Sequence, residues 1–396
     1  MTTGKREHTL GIWALTLGYF LFYIPYSGIS KAATSGLLTG GRSIPGAELL
    51  PAAGISTAIT VLLFITARRW WKYGCQRRVF GLNVVVPRWQ TLISGLGFAT
   101  IIFTTTLAYS FSGISIMLAL ILMRTGVLIM SPIIDRFFRR RIRWFSWAGL
   151  ALSLVALAIS FTSVHDYQLS LAALLNLAAY LSGYALRIPA MTQIAKTGEP
   201  EIALGYFVEE QAVAMLLLVC FPFVAALLGR GEIANEMRAG FAHLLSGPIG
   251  LAGWIIGLLY AGLGLCLSFI YLDRRENTFC MPLFACSSLL SGITASYLLA
   301  WWMHGPKPHG VEISAALLII AALLVMSPLH HLPLYIRQLR NAIAEHRLIL
   351  VDFKGNSSSK PAGLLAVSSA TRFITINFDV MREVLRNRPK EGSLDV

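Results

Sequence analysis

The sequence predicts an all-α integral membrane protein with ten transmembrane helices, arranged as two inverted five-helix repeats, and a cytoplasmic C-terminal tail. Of the 396 residues, 56% are hydrophobic and only 13% are charged, whereas soluble domains carry about 25% charged residues. Apolar stretches long enough to cross a bilayer recur along the chain, and the connections between them alternate between strongly and weakly basic. This composition cannot cover a soluble surface with polar side chains, so the apolar surface is expected to face lipid.

The apolar stretches define the predicted spans, each about 20 residues long. In the first half of the chain they are residues 9–29, 47–67, 91–111, 114–137 and 144–161. In the second half they are residues 169–191, 204–228, 247–272, 279–303 and 311–332. The first stretch follows Lys5 and Arg6, as in a signal peptide. It continues past Tyr23 without a small-residue cleavage site, so we interpret it as the first membrane helix.

Basic residues alternate along the connections between the predicted spans. The even-to-odd connections and the segment after the tenth span hold most of them: Arg68, Arg69, Lys72, Arg77, Arg78, Arg88, Arg136, Arg139, Arg140, Arg141, Arg143, Lys196, Arg274, Arg275, Arg337, Arg340 and Arg347. The other connections are much less basic, with Arg42 in the first and Lys307 in the last. Loops rich in Lys and Arg are retained in the cytoplasm. The pattern therefore predicts a multi-pass protein of the cell (inner) membrane with both termini cytoplasmic.

The predicted spans divide into two halves, residues 1–165 and 166–332, followed by a tail at 333–396. Because each half contains an odd number of spans, the second half enters the membrane with the opposite orientation, as in an inverted-repeat transporter. Tyr19 and Tyr23 in the first span have the same spacing as Tyr180 and Tyr184 in the sixth. In the tail, apolar residues mixed with arginines predict an amphipathic helix along the inner leaflet.

The basic excess and the cysteines do not indicate nucleic-acid binding or a metal site. The net charge of +14 arises beside apolar segments, where it orients the chain in the membrane. The five cysteines form no C-x-x-C pair and have no His partner at metal spacing. Phosphate-binding glycine motifs, H-E-x-x-H and G-x-S-x-G are missing from the sequence. We therefore expect no nucleic-acid partner, no cofactor and no enzymatic activity.

Arg124 is the strongest candidate for a functional residue. It lies about ten residues into the fourth span, hence roughly 15 Å deep at 1.5 Å per residue, where a charge is costly and often functional. The functional interpretation is a cation in a central cavity that binds an anionic substrate or a mobile carboxylate. The structural alternative is an ion pair inside the bundle.

Further candidates come from other spans. Lys31 and Arg187 lie near opposite ends of the first and sixth spans, where a long side chain can reach a cavity or extend to the headgroups. Four tyrosines are candidate lining residues, with interface anchoring as the alternative: Tyr19, Tyr23, Tyr180 and Tyr184. Ser288 and Ser291 share one face of the ninth span and can line a solute path or serve helix packing. Small polar residues have that packing role in membranes.

Glu209 and Glu210 are the candidate proton carriers. They lie near the start of the seventh span, where the helix dipole alone favours carboxylates. Since only one face of a helix points inward, at most one of the two is expected to line a cavity. A partly desolvated carboxylate there can carry a proton in a coupled cycle.

With these features the sequence resembles the drug/metabolite transporter superfamily, in its ten-helix EamA-like branch. The resemblance covers residues 9–332 and is greatest over residues 130–160, where the fourth span ends at a charged turn and Trp147, Ala148 and Gly149 open the fifth. The second half has Gly310, Val311 and Glu312 in place of that signature. The resemblance implies a secondary transporter of small metabolites. Members that carry phosphorylated or nucleotide-linked sugars use basic residues in the central cavity, a use that Arg124 would suit.

The leading functional hypothesis is a secondary transporter, an exporter or exchanger, that moves a small polar metabolite by alternating access. An anionic metabolite is the option that Arg124 favours. The alternatives are a flippase or carrier for a lipid-linked phosphate, a membrane-embedded enzyme, and an assembly subunit without transport. The expected partners are a small-molecule solute and membrane lipids, and a homodimer is left open.

Overall fold

The computed structural model describes residues 3–37, 43–79, 82–108, 116–162, 171–197, 199–303 and 310–326. Eleven helices lie in this part of the chain. They are α1 (Thr3–Thr34), α2 (Gly46–Ala67), α3 (Trp89–Ala108), α4 (Ile116–Phe137), α5 (Trp144–Thr162), α6 (Leu171–Ile194), α7 (Pro200–Leu228), α8 (Glu232–Ala242), α9 (Gly247–Leu272), α10 (Asn277–Met303) and α11 (Gly310–Met326). Short 3-10 turns occupy Trp70–Tyr73 and Ala195–Thr197.

Seven of these helices are long and apolar enough to cross a membrane: α1 from Gly11, α2, α3, α6, α7, α9 and α10. Two more apolar stretches are shorter, Trp144–Ile159 in α5 and Ser314–Met326 in α11. The chain is therefore an all-α, multi-pass membrane protein. The predicted amphipathic tail at 333–396 lies outside the described residues, as do His165 and Lys307.

The helices discussed below belong to one compact unit, Ala14–Leu323. Of the second unit, Met1–Trp13 with Leu324–Val396, only the beginning of α1 and the last turn of α11 are described. Within the first unit, α3 packs against α6 and α7, α2 packs against α7, α8 and α9, and α10 packs against α4 and α5.

Close helix contacts depend on residues without bulky side chains. At the contact of α3 with α6, a Cβ added to Gly97 would lie 2.5 Å from the carbonyl oxygen of Gly183. At the contact of α2 with α9, a Cβ on Gly257 would lie 2.3 Å from the carbonyl oxygen of Ala53. Small residues allow helix backbones to approach closely in membranes, where no hydrophobic effect draws helices together.

Two elements appear where the sequence suggested only connections. Between α2 and α3, strand β1 (Gln76–Val79) pairs with β2 (Leu82–Val85) in an antiparallel hairpin. Between α7 and α9, the short helix α8 buries Met237 against Ala47 and Leu50 of α2. Its Glu232 and Arg238 remain exposed. Helix α7 also begins at Pro200 rather than at residue 204, because Pro is well suited to the first turn of a helix.

Candidate functional site

Arg124 of α4 is buried inside the helical bundle, with only 2% of its surface exposed. Its Nε donates a hydrogen bond of 2.9 Å to the Ser288 hydroxyl. Its two terminal nitrogens donate to the hydroxyl oxygens of Tyr180 and, at 3.4 Å, of Tyr23. The guanidinium carbon also lies 4.2 Å from the ring centre of Phe284. All of these partners are neutral, and no carboxylate in the described part of the chain pairs with Arg124.

Four tyrosines from two helices surround this guanidinium. Tyr19 and Tyr23 of α1 lie with their ring centres 5.5 Å apart, and Tyr180 and Tyr184 of α6 lie 4.9 Å apart. All four side chains are buried. Each pair is separated by four residues, so both members project from one face of their helix. Together with Phe284 and Ser288 of α10 they form what we call the Arg124 cluster: Tyr19, Tyr23, Arg124, Tyr180, Tyr184, Phe284 and Ser288.

The two candidate serines of α10 have different surroundings. Ser288 accepts the hydrogen bond from Arg124 and donates one to the Ala285 carbonyl. Ser291 instead donates to the Ser287 carbonyl at 2.7 Å and to the Phe20 carbonyl of α1 at 3.2 Å. Ser288 therefore belongs to the Arg124 cluster, while Ser291 contributes to the packing of α10 against α1.

Arg187 and Glu210 form a second buried group, between α6 and α7. Two parallel hydrogen bonds of 2.9 Å join the guanidinium to the carboxylate, and both side chains are at most 1% exposed. The Ser94 and Tyr206 hydroxyls also donate to Glu210, at 2.6 and 2.9 Å. Arg187 donates further to Ser268 at 3.0 Å. Arg187 therefore does not extend to the headgroups, because its charge is compensated inside the bundle.

Glu209, the neighbour of Glu210, faces a different part of the molecule. Its carboxylate accepts hydrogen bonds from the backbone N–H groups of Cys75 and Arg88, both at 3.1 Å. The Arg88 side chain adds a contact of 3.2 Å and the Thr91 hydroxyl one of 2.7 Å. These contacts bind both ends of the β1–β2 hairpin to α7. Glu209 therefore contacts the hairpin and the first turn of α3, whereas Glu210 pairs with Arg187.

Lys31 lies apart from both groups. It is half-buried in the last turn of α1, and its backbone carbonyl accepts hydrogen bonds from the Thr34 and Ser35 hydroxyls. In the part of the chain that the structure describes, no group of three His, Cys, Asp or Glu side chains is arranged to hold a metal ion.

Several members of these groups escaped the sequence analysis as site candidates. Phe284 lies one helical turn before Ser288, so the same-face rule for residues four apart could have added it. Ser94, Tyr206 and Ser268 carry no such signal, because their role depends on four helices, α3, α6, α7 and α9, meeting at the Arg187–Glu210 pair.

Comparisons with known proteins do not identify a family. No family model matches the chain, and no curated protein matches it. Among the solved structures that resemble it is one described as "Crystal structure of protein", with a TM-score of 0.45 and 16% sequence identity. That likeness covers 80% of this chain and 99% of the other. It is too weak to indicate a function.

Proposed function

We propose that this protein is a secondary transporter that moves a small anionic metabolite across the membrane by alternating access, with Arg124 as the residue that binds the anion. The observation that carries the proposal is the environment of Arg124. Its guanidinium is buried, and its hydrogen-bond partners Ser288, Tyr180 and Tyr23 are all neutral.

The energetics of a buried arginine support this function. Placing an arginine at the centre of a membrane helix costs at least about 2.5–3.5 kcal/mol. Neutral hydroxyls satisfy N–H groups, but they do not cancel the positive charge. In the same bundle, Arg187 is neutralised by Glu210. A site in which Arg124 acquires its counter-ion from a bound substrate accounts for the difference between the two arginines.

The helices that meet at Arg124 suit alternating access. The Arg124 cluster draws on α1 and α4 of the first predicted half and on α6 and α10 of the second. Transporters built from inverted repeats bind substrate where the two halves meet, near the midplane of the bilayer. Because the side chains of the cluster are buried, entry of a substrate requires these helices to separate.

One pair of helix contacts fits a two-fold exchange of the halves, whereas the most extensive contact, that of α3 with α6, has no equally extensive counterpart between α9 and α1. In the ten-span topology that we propose, α4, α5 and α11 join the seven long apolar helices as spans, while α8 lies outside the membrane. An inverted repeat then relates α1 to α6, α2 to α7, α3 to α9, and α4 to α10. Under this relation the contact of α2 with α9 corresponds to the contact of α7 with α3, and both contacts are extensive. The matching tyrosine pairs of α1 and α6 follow the same relation.

For energy coupling, Glu210 is the better of the two candidate carboxylates. It lies inside the bundle and is paired with Arg187, whereas Glu209 is tied to the hairpin and to Arg88. A proton on Glu210 would release Arg187, so protonation and helix movement can be linked there. The ten-span topology, with both termini cytoplasmic in the cell (inner) membrane, is part of the same proposal.

The test compares Arg124 variants in cells and in reconstituted vesicles. Untargeted metabolomics of cells with and without the protein identifies solutes whose distribution changes. We expect Arg124→Leu to abolish the change at a normal expression level, because the hydrophobic side chain cannot attract an anion. We expect Arg124→Lys to weaken it, since an ammonium cannot form the bidentate fork of a guanidinium.

A matched control is Arg136→Gln, an exposed arginine at the end of the same helix, which we expect to leave transport unchanged. A well-expressed Arg124→Leu protein that still transports normally would remove Arg124 from the mechanism. A solute change that is confined to lipid-linked phosphates would favour the flippase alternative.

A further inference from the structure

The charge balance inside the bundle carries an inference about the class of substrate. We infer that the Arg124 cluster takes an organic monocarboxylate, and that dianions such as phosphate esters and dicarboxylates are poor ligands. This inference rests on the proposed function, because it specifies the anion that Arg124 binds.

Within the Arg124 cluster, the guanidinium is the one formal charge among the described side chains. Lys196 is buried as well, but it follows α6 at the end of the bundle and donates to the Arg275 carbonyl. Arg187 and Glu210 cancel each other through their bidentate pair. Glu209 is neutralised by Arg88 at the hairpin. Lys31 is at the end of α1, outside both groups. Arg124 therefore balances a ligand with a single negative charge. A dianion would leave one negative charge without a partner in a medium of low dielectric constant, where such charges are costly.

The remaining donors of Arg124 match a carboxylate. A guanidinium has five N–H groups, and three bonds are made, to Ser288, Tyr180 and Tyr23. This leaves one N–H on each terminal nitrogen. The two oxygens of a carboxylate are suited to two such donors.

The walls of the cluster suit an organic group attached to that carboxylate. The ring of Phe284 lies on one side of the guanidinium and packs against the rings of Tyr19 and Tyr184, with centroid distances of 5.5 and 6.4 Å. Aromatic rings offer large apolar surfaces. Phosphate sites, in contrast, usually combine several cationic or backbone N–H donors, and only one unpaired cation lies in the described part of this cluster.

The experiment measures ligand-induced stabilisation of the purified full-length protein in detergent. A ligand that binds the folded state raises the apparent unfolding temperature. The probes share one aromatic ring and differ in charge: benzoate is a monoanion, and phthalate and phenyl phosphate are dianions at pH 8. Sodium chloride keeps the ionic strength constant. We expect benzoate to stabilise the wild type at concentrations at least about tenfold lower than either dianion, a clear difference in affinity.

The variants separate the inference from the proposed function. We expect Arg124→Gln to lose the benzoate effect, Arg124→Lys to retain part of it, and Arg136→Gln to behave as the wild type. If a dianion stabilises the protein as well as benzoate does, and this effect requires Arg124, the monocarboxylate inference is wrong while anion transport stands. If no probe stabilises the wild type more than Arg124→Gln, both proposals fail. If Arg124→Gln does not fold, the benzoate effect on the wild type is compared with that on Ser288→Ala and Arg124→Lys instead.

Discussion

Among the residues that the structure describes, two arginines are buried, and their surroundings lead to different expectations. Arg187 shares a bidentate contact with Glu210 and is held by Ser268. Among the described residues, Arg124 contacts hydroxyl groups and an aromatic ring. A compensated pair contributes to the structure, and it is costly to break because the remaining charge stays buried. An uncompensated cation is costly as it stands, which is the physical reason for assigning the binding role to Arg124.

The Arg187–Glu210 pair should be essential for stability. Glu210→Gln leaves the Arg187 charge buried, and losing one partner of a buried pair typically costs about 3–5 kcal/mol. We expect a much lower apparent unfolding temperature in detergent for this variant. The exposed Glu201→Gln of the same helix should change little. A double variant, Arg187→Leu with Glu210→Leu, should be more stable than Glu210→Gln. Wild-type stability in Glu210→Gln would contradict this account.

Glu276, in the connection between α9 and α10, should make stability depend on pH. Burial by itself would raise the pKa of Glu276, but hydrogen bonds from Arg143 and Ser146 outweigh burial and hold the pKa below its usual value. A carboxyl whose pKa is lowered in the folded state stabilises the protein above its unfolded pKa, about 4.3. This stabilisation is lost as the pH falls through the folded pKa.

We therefore expect the apparent unfolding temperature to fall on acidification below about pH 4.5, the region of an ordinary glutamate. Glu276→Gln should be less stable than the wild type at neutral pH and should lose part of this acid dependence. Parallel pH profiles of the two proteins would show that Glu276 does not contribute.

Single carboxylates hold whole elements in place at one end of the bundle. Asp135 of α4 accepts hydrogen bonds from the N–H and side chains of Asn277 and Thr278, at 2.7 to 3.0 Å. It thus caps the first turn of α10 from another helix, where unsatisfied N–H groups and the helix dipole favour a carboxylate. Asn277 also donates to Thr192 of α6. This end of α10 is therefore fastened to α4 and α6 together.

The β1–β2 hairpin should depend on Glu209. A hairpin alone is marginally stable in water, and Glu209 binds its flanks through Cys75 and Arg88. We expect Glu209→Ala to increase hydrogen exchange in residues 76–85 and to speed tryptic cleavage at the exposed Arg77 and Arg78. The exposed Glu201→Ala is the matched control. Equal protection of the hairpin in both variants would show that Glu209 is dispensable for it.

At the scale of the whole molecule, the topology places the hairpin and α8 on opposite sides of the membrane, because α7 crosses between them. Cys75 is exposed beside the hairpin, and Ile233 is exposed on α8. With each as the sole cysteine, Ile233→Cys should react with an impermeant reagent in intact cells. Cys75 should react only after permeabilisation. The same prediction places Arg140 inside and His165 outside. Labelling of Cys75 in intact cells would show that the protein has the opposite orientation in the membrane.

The sequence by itself determined the class of protein, an all-α membrane protein with several apolar helices. Low charge, apolar stretches of membrane length and alternating basic loops are properties of the linear chain, because each span meets the bilayer separately. The position of Arg124 within an apolar stretch and the matching tyrosine spacings are also visible at this level. The inverted repeats, the cytoplasmic location of both termini and the transport function stay predictions.

Tertiary structure decided which polar groups meet. Glu209 and Glu210 are adjacent in sequence, yet one binds the hairpin and the other pairs with Arg187. Likewise, Ser288 contacts Arg124 whereas Ser291 bonds to α1. Helical periodicity determines the face that a residue occupies, but the neighbour of that face depends on packing between distant segments. The physical reason is that compensation of a buried charge is a property of contacts across helices, and such contacts exist only in the folded bundle.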